Sequence, residues 1–190
     1  MTKLFKKVLV VALAATLTFG STTSAFAATK SPVVSVTPED ATKVKADTKN
    51  GVKAVVNTSK KGTAKVVSVA KTTKKSVTIS SKLTVDGVNY KVTTLSAKAF
   101  ANCKKVETIT LPSTITSVAK SVFTGTPKTL KKIVFNNKKA ITVSKGAFTG
   151  VDTKKVTINV TASMSKTEYK KFVKNLQKAG FKGTIKQLKK

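Results

Sequence analysis

The stretch that decides the fold is residues 92–100, VTTLSAKAF, because its apolar pattern returns as ITSVAKSVF at 115–123 and as ITVSKGAF at 141–148. The closing phenylalanines of the three copies are 23 and 25 residues apart. After each one, a short polar stretch leads to two apolar residues separated by one position. A period of this length is typical of solenoids, in which one coil cannot bury its apolar face alone and stacking creates the core.

We therefore predict a solenoid of about three stacked coils of 23–25 residues over 92–160, in which the paired apolar residues form a parallel sheet. The predicted repeat core consists of Leu95, Phe100, Cys103, Ile109, Leu111, Val118, Phe123, Ile133, Phe135, Phe148, Val156 and Ile158. Cys103 shares its repeat position with Thr126 and Val151, and a free cysteine often behaves as a small buried apolar residue. As the only cysteine, it cannot form a disulfide within the chain.

Both ends of such a stack need a cap, and the flanking sequence predicts one at each end. Residues 51–91 read as short strands with turns at Ser59–Gly62 and Asp86-Gly87, and they can cover the first coil. In the segment 161–190, Ser165 and Glu168 have the spacing of a capping box. We expect a helix over 166–179, which packs its apolar face on the last coil, and then a short strand. A basic amphipathic helix on an anionic membrane is the alternative for this segment.

The N-terminus has the pattern of an export signal. Three lysines precede an apolar run over 8–19, and Ala25-Phe26-Ala27 forms a small-x-small cleavage site. We predict a signal peptide over 1–27, a secreted protein that is extracellular or loosely associated with the cell surface or cell wall, and no transmembrane segment after cleavage. Residues 28–50 lack clear periodicity and are predicted to be a flexible lead-in.

The composition is strongly basic. The chain has 37 lysines and no arginine against 7 acidic residues, and loss of the three leader lysines leaves a net charge of +27. Such a charge favours attraction to polyanions that weakens steeply with salt. Because lysine lacks the planar fork of arginine, anion binding is expected to be diffuse. Alternatively, the lysines only fill solvated positions of a secreted protein.

One surface follows from the repeat alignment. If Ile109, Ile133 and Val156 stack about 4.8 Å apart in a parallel sheet, Glu107, Lys131 and Lys154 share one column. Thr108, Lys132 and Lys155 share the next. This predicts a basic ridge of Lys131, Lys132, Lys154 and Lys155 that binds an anion or a partner. The alternative is a set of separated, hydrated lysines.

Catalysis is not expected. The chain has no histidine, which leaves a thiol nucleophile without its usual base and zinc without imidazole ligands. Of the seven acids, only Glu107 and Asp152 lie on the coils, and they do not share a column, whereas a glycosidase needs two facing carboxylates. No glycine-rich phosphate loop is present. We predict no catalytic residue, no metal and no cofactor.

The segment Asp86–Cys103 resembles the entry to a BspA-like leucine-rich repeat domain, whose coil has the pattern I-x-x-I-x-x-x-A-F-x-x-C-x-x-L-x-x-I-x-I-P. The first coil matches this pattern at Val92, Leu95, Ala99, Phe100, Cys103, Val106, Ile109, Leu111 and Pro112. The second coil departs from it at Val122 and Thr126 and by a one-residue insertion near Pro127. Tyr169 and residues 179–185 are similar to the tail of short secreted members. The resemblance covers roughly residues 60–190.

This resemblance implies a leucine-rich-repeat solenoid and an extracellular surface protein, in some members an adhesin that binds host or partner macromolecules. The predicted function is noncatalytic recognition of a macromolecular partner, such as a host or partner surface protein, through the repeat surface. The alternative is electrostatic retention on cell-envelope polyanions, with the repeats mainly structural. We expect no small-molecule substrate. Specific nucleic-acid binding is not expected, because no exposed aromatic stripe is available to stack on bases.

Overall fold

The computed structural model describes residues 37–48 and 51–189. The predicted signal peptide, residues 28–36, 49 and 50 of the predicted lead-in, and Lys190 lie outside these ranges. The strands are β1 (Ala41–Asp47), β2 (Lys53–Ser59), β3 (Thr63–Val69), β4 (Ser76–Thr78), β5 (Lys82–Val85), β6 (Val88–Leu95), β7 (Thr108–Leu111), β8 (Ser117–Val118), β9 (Lys132–Phe135), β10 (Thr142–Val143), β11 (Thr157–Val160) and β12 (Thr184–Gln187). A 3₁₀ helix covers Thr153–Lys155, and α1 covers Lys166–Lys178.

The first sheet has the order β1-β2-β3-β6-β5. Its neighbours are antiparallel except β3 and β6, which run parallel. The two predicted turns join strands of this sheet. Gly62 has a φ of +68° after the first turn, and Asp86 and Gly87 have φ values of +49° and +79° between β5 and β6. Positive φ at both central residues is the geometry that a tight two-residue hairpin requires.

The predicted flexible lead-in is wrong over Ala41–Asp47, because these residues form β1 and pair with β2. The preceding residues are also held, since the Tyr90 hydroxyl accepts a hydrogen bond from the backbone N–H of Glu39 at 2.8 Å. Strand β1 has only one buried side chain, Ala46, and a register irregularity between Ala41 and Val44. An edge strand of this kind is held mainly by backbone pairing, which leaves no apolar periodicity for sequence analysis to detect.

The second sheet is parallel and has the order β12-β11-β9-β7-β4. Aligned residues in its five strands form an inward column of Val77, Ile109, Ile133, Ile158 and Ile185. Chain segments between these strands cross the other side of the stack, where β8 and β10 pair in parallel. The fold is thus a repeat solenoid, and the first sheet joins it where β3 pairs with β6 in parallel.

The predicted alignment of the third coil is wrong by two residues. Ile158, rather than Val156, pairs with Ile133. The 3₁₀ helix over Thr153–Lys155 occupies the positions just before the strand and delays its start. Val156, Ile158 and Val160 are all buried at alternate positions, and a shift of two residues keeps the same face inward. The apolar pattern therefore could not distinguish the two registers.

The parallel sheet also extends beyond the three predicted coils. Strand β4 adds a rung before the first of them, and β12 adds one after the third. Strand β4 was assigned to the N-terminal cap, but it pairs with β7 in the register of the repeats. Its three residues are too short to show the coil pattern, and no phenylalanine precedes it at the repeat position.

A ladder of phenylalanine rings runs through the turns of the coils. The rings of Phe100 and Phe123 are stacked with centroids 5.8 Å apart, and those of Phe123 and Phe148 are 5.2 Å apart. Phe181 continues the ladder beyond the helix, 5.1 Å from Phe148 and tilted by 56°. These separations fall in the range where aromatic pairs attract. The twelve residues assigned to the repeat core are each 4% exposed or less.

The helix α1 closes the C-terminal end of the solenoid. The Ser165 hydroxyl accepts a hydrogen bond from the backbone N–H of Glu168, which is the expected N-cap. Glu168 does not complete a capping box, because its carboxylate accepts from the backbone N–H of Ala140 on the last coil. On the buried face of the helix, Phe172 packs edge-on against Phe135 with centroids 5.1 Å apart.

Replacement of Gly183 by alanine should loosen this cap. A Cβ at Gly183 would overlap the carbonyl oxygens of Thr153 and Val156, so the backbone leading into β12 must move. We expect Gly183→Ala to lower the free energy of unfolding by about 2 kcal/mol, measured by thermal and denaturant unfolding. Gly87→Ala is the control, since that site has open space and only the strain of a positive φ, about 1 kcal/mol. A smaller loss at Gly183 than at Gly87 would contradict this account of the cap.

The Cys103 thiol should resist modification in the folded protein. Its side chain is fully buried, and desolvation raises its pKa from 9.0 to about 11. Two pKa units lower the thiolate fraction roughly a hundredfold, and the thiolate is the reactive form. Labelling by a disulfide reagent near pH 8 should therefore be at least about a hundredfold slower in the native protein than in denaturant. Equal rates would show that Cys103 is exposed.

Candidate binding surfaces

The predicted basic ridge is divided in the structure. Lys131 forms an ion pair with Glu107, with Nζ and Oε2 3.0 Å apart, and Lys75 reaches the other oxygen of that carboxylate at 3.4 Å. The hydrogen bond from Lys131 and the two positive charges lower the pKa of Glu107. Lys131 is therefore partly neutralised, as the alignment of Glu107 with Lys131 indicated.

The other three lysines of the ridge lie apart from this pair. Lys132 on β9 is flanked by Thr108 and Thr157, because the strands pair in the shifted register. Lys154 and Lys155 belong to the 3₁₀ helix, and Lys155 forms an ion pair with Asp152 at 3.2 Å. The predicted column of Lys132 and Lys155 does not exist, since Thr157 stands where Lys155 was expected.

The outward face of the parallel sheet is mostly polar and holds two lysines and no acid. Its two columns are Ser76, Thr108, Lys132, Thr157 and Thr184, and Thr78, Thr110, Val134, Asn159 and Lys186. All ten side chains are exposed or partly exposed, and seven of them carry a hydroxyl or an amide. We call these ten residues the hydroxyl face. Its lysine content matches that of the whole chain, which has 37 lysines in 190 residues, so the aligned hydroxyl and amide groups are what characterise this surface.

A row of lysines lies on a different side of the solenoid, where the chain turns toward each ladder phenylalanine. The backbone N–H of Lys98 donates to the carbonyl of Ser121 at 2.8 Å, and that of Ser121 donates to Gly146 at 2.9 Å. The N–H of Gly146 continues the series to Ala179 at 3.3 Å. Each of the bonded residues Ser121, Gly146 and Ala179 directly follows a lysine with an exposed side chain. The bonds therefore bring these lysines, Lys120, Lys145 and Lys178, into one row.

Sequence reasoning missed this row, although a signal is present. A lysine stands three residues before each of the ladder phenylalanines Phe123, Phe148 and Phe181. The first coil has Ala97 at that position and Lys98 at the next. The apolar strand pairs define the alignment of the repeat, and Phe181 lies in the tail beyond the predicted coils, so that alignment does not bring the three lysines into one column.

The row ends in a shallow groove between the last turn of the repeats and the C-terminal end of α1. Its walls carry Lys145, Lys154, Lys178 and Lys182, with Asp152 beside them. The Lys120 side chain runs toward the same place, since a Cβ built on Gly146 would lie 3.5 Å from its Cγ and 3.7 Å from its Cε. We call Lys120, Lys145, Lys154, Lys178 and Lys182 the lysine groove. Phe148, Val151 and Thr149 also line it.

The described residues include no cluster of three or more side chains that could hold a metal ion. Within residues 37–48 and 51–189, no helix is both long and apolar enough to cross a membrane. The acids on the coils are already engaged, Glu107 with two lysines and Asp152 with Lys155. The chemistry available at the surface is therefore that of hydroxyl, amide and ammonium groups.

Comparison with known proteins places the repeats in a family. The BspA type leucine rich repeat region matches residues 71–190 in six copies, whereas three coils were counted from the sequence over 92–160. The match starts just before β4, in agreement with the longer parallel sheet. No curated protein and no solved structure gave a match. Because the match spans more than half of the chain, the protein belongs to the BspA-type leucine-rich repeat family.

Proposed function

We propose that this protein is a noncatalytic, extracellular binding protein of the adhesion type, which recognises a macromolecular partner through the hydroxyl face. The observation that carries the proposal is the alignment of hydroxyl and amide side chains in two columns on this face. Its ten positions hold seven hydroxyl or amide side chains and no acid, within a chain of net charge +30. Columns of short side chains that both donate and accept favour a surface for hydrogen bonding.

The geometry of the face suits a large partner. Neighbouring strands are about 4.8 Å apart, so the side chains form a regular array of donors and acceptors on a rigid sheet. Their short stems lose little conformational entropy when a partner binds, in contrast to lysine. A flat array without a deep cavity favours an extended surface contact over the enclosure of a small molecule. The natural partners are a surface protein or a wall component with neutral polar groups.

The noncatalytic assignment is supported by the chemistry of the exposed groups. The chain has no histidine, its only thiol is buried, and the acids Glu107 and Asp152 are held by lysines. Secretion is supported by the N-terminal sequence, with its lysines, apolar run and Ala25-Phe26-Ala27 site. A repeat scaffold that presents a surface is consistent with both assignments.

A second candidate function is electrostatic retention on anionic polymers of the cell envelope. It is favoured by the lysine groove, in which four lysines line the walls, Lys120 lies next to Gly146, and the one carboxylate on the walls is already paired with Lys155. The two functions use different sides of the solenoid, so one molecule can perform both. They differ in their salt response, because exposed charges are screened within about 8 Å at physiological ionic strength.

Binding to cell walls isolated from the producing organism tests the primary function. Walls stripped of anionic polymers should still bind the protein, and this binding should change little across a salt series because it depends on hydrogen bonds and shape. The double variant Thr110→Lys/Thr157→Lys places two charges on the hydroxyl face, and we expect it to weaken binding by about tenfold or more, as 1.4 kcal/mol of lost contact would do.

The control for this experiment is Thr142→Lys, which adds a lysine at an exposed position of β10 away from the hydroxyl face. It should bind stripped walls as the unmodified protein does. Recognition through the hydroxyl face is wrong if the protein binds neither stripped walls nor intact cells that display a candidate surface protein. It is also wrong if the double variant binds stripped walls as well as the control does.

A further inference from the structure

The lysine groove concentrates positive charge without matching negative charge. Among the described residues, no carboxylate lies within ion-pair distance of Lys120, Lys145, Lys154, Lys178 or Lys182. Asp152 lies on the groove, but its nearest cation is Lys155. Ammonium groups that share a groove repel one another, and salt screens the repulsion only in part at short range. An anion that enters the groove relieves this repulsion at several lysines together.

Three of these lysines form a row. Lys120 and Lys145 come from the turns of two successive coils and Lys178 from the last turn of α1, and the backbone hydrogen bonds between Ser121, Gly146 and Ala179 hold these segments side by side. The row therefore presents one positive charge from each of three neighbouring segments. A single compact anion can contact only part of this row. A polymer with regularly spaced negative charges can contact all of it.

The residue types indicate the chemistry of that polymer. Lysine binds phosphate as a hydrated point charge, and the chain lacks arginine, whose planar fork supports bidentate recognition of phosphate and carboxylate alike. The floor of the groove combines the half-buried apolar side chain of Val151 with the Thr149 hydroxyl, and Phe148 lies beneath it. Such a floor suits short carbon chains that carry hydroxyl groups.

Nucleic acid fits less well. Binding of single strands depends on aromatic side chains on which bases stack. The ladder phenylalanines are buried, and among the described residues the large apolar side chain with substantial exposure is Leu188. We propose that the lysine groove binds a linear polyol-phosphate polymer, the chemical class of glycerol-phosphate chains. The inference rests on the second candidate function, retention on envelope polyanions, and assigns that function to a site.

The test measures binding of the purified full chain to soluble poly(glycerol phosphate) across a salt series. The triple variant Lys120→Gln/Lys145→Gln/Lys178→Gln is compared with Lys53→Gln/Lys65→Gln/Lys82→Gln, which removes the same charge from exposed positions of the first sheet. We expect the groove variant to reduce the slope of log Kd against log salt by about 2–3 and to weaken binding at low salt at least roughly tenfold. The control variant should change the slope much less. Thermal unfolding checks that both variants are folded.

Three results would overturn the inference. Equal losses in the two variants would show that net charge, rather than the groove, determines binding. Equally tight, groove-dependent binding of single-stranded DNA or of a polycarboxylate would show a general polyanion site and remove the assignment to polyol phosphate. Intact and stripped walls are assayed with the same variants. If intact walls retain the unmodified protein and the groove variant equally, in a salt-sensitive manner, envelope retention stands and the groove assignment fails.

Discussion

The structure depends on one constraint, which is that no coil can bury its own apolar face. Three successive coils therefore contribute the stacked rings of Phe100, Phe123 and Phe148, and Phe181 beyond α1 extends the ladder. The helix α1 is part of the same system, because it packs Phe172 against Phe135 and delivers Phe181 to the end of the ladder. Glu168, which binds the backbone of Ala140, gives the cap a polar attachment in addition to its apolar one.

Stacking of this kind determines where surface chemistry can accumulate. A side chain that points outward at one coil position is brought next to its counterparts in the coils on either side. A residue type that recurs at this position therefore forms a column on the surface. The outward positions of the parallel sheet became the hydroxyl face, and the position three residues before Phe123, Phe148 and Phe181 became the lysine row. The two surfaces lie on different sides of the coil and differ in charge, which gives the solenoid two chemically independent surfaces.

Local sequence signals predicted several elements well. The N-cap at Ser165 and the tight turn at Asp86-Gly87 follow from side chains close to the feature they create. The prediction failed where an element is held by distant partners. Strand β1 depends on backbone pairing with β2, and β4 depends on the register of β7, so neither has a pattern of its own that identifies it. The second half of the capping box also failed, because a tertiary contact with Ala140 competed for Glu168.

The sequence by itself determined the solenoid, its approximate period, the buried phenylalanines and the excess of positive charge, because these depend on periodicity and composition. Only the tertiary structure decided which residues share a column. Val156, Ile158 and Val160 are buried at alternate positions. A shift of β11 by two residues relative to β9 therefore keeps apolar side chains in the core but changes which outward residues of the two strands are paired. The 3₁₀ helix before β11 selected one register, which separated Lys155 from Lys132. Backbone hydrogen bonds between the turns of two coils and the C-terminal end of α1 brought Lys120, Lys145 and Lys178 together.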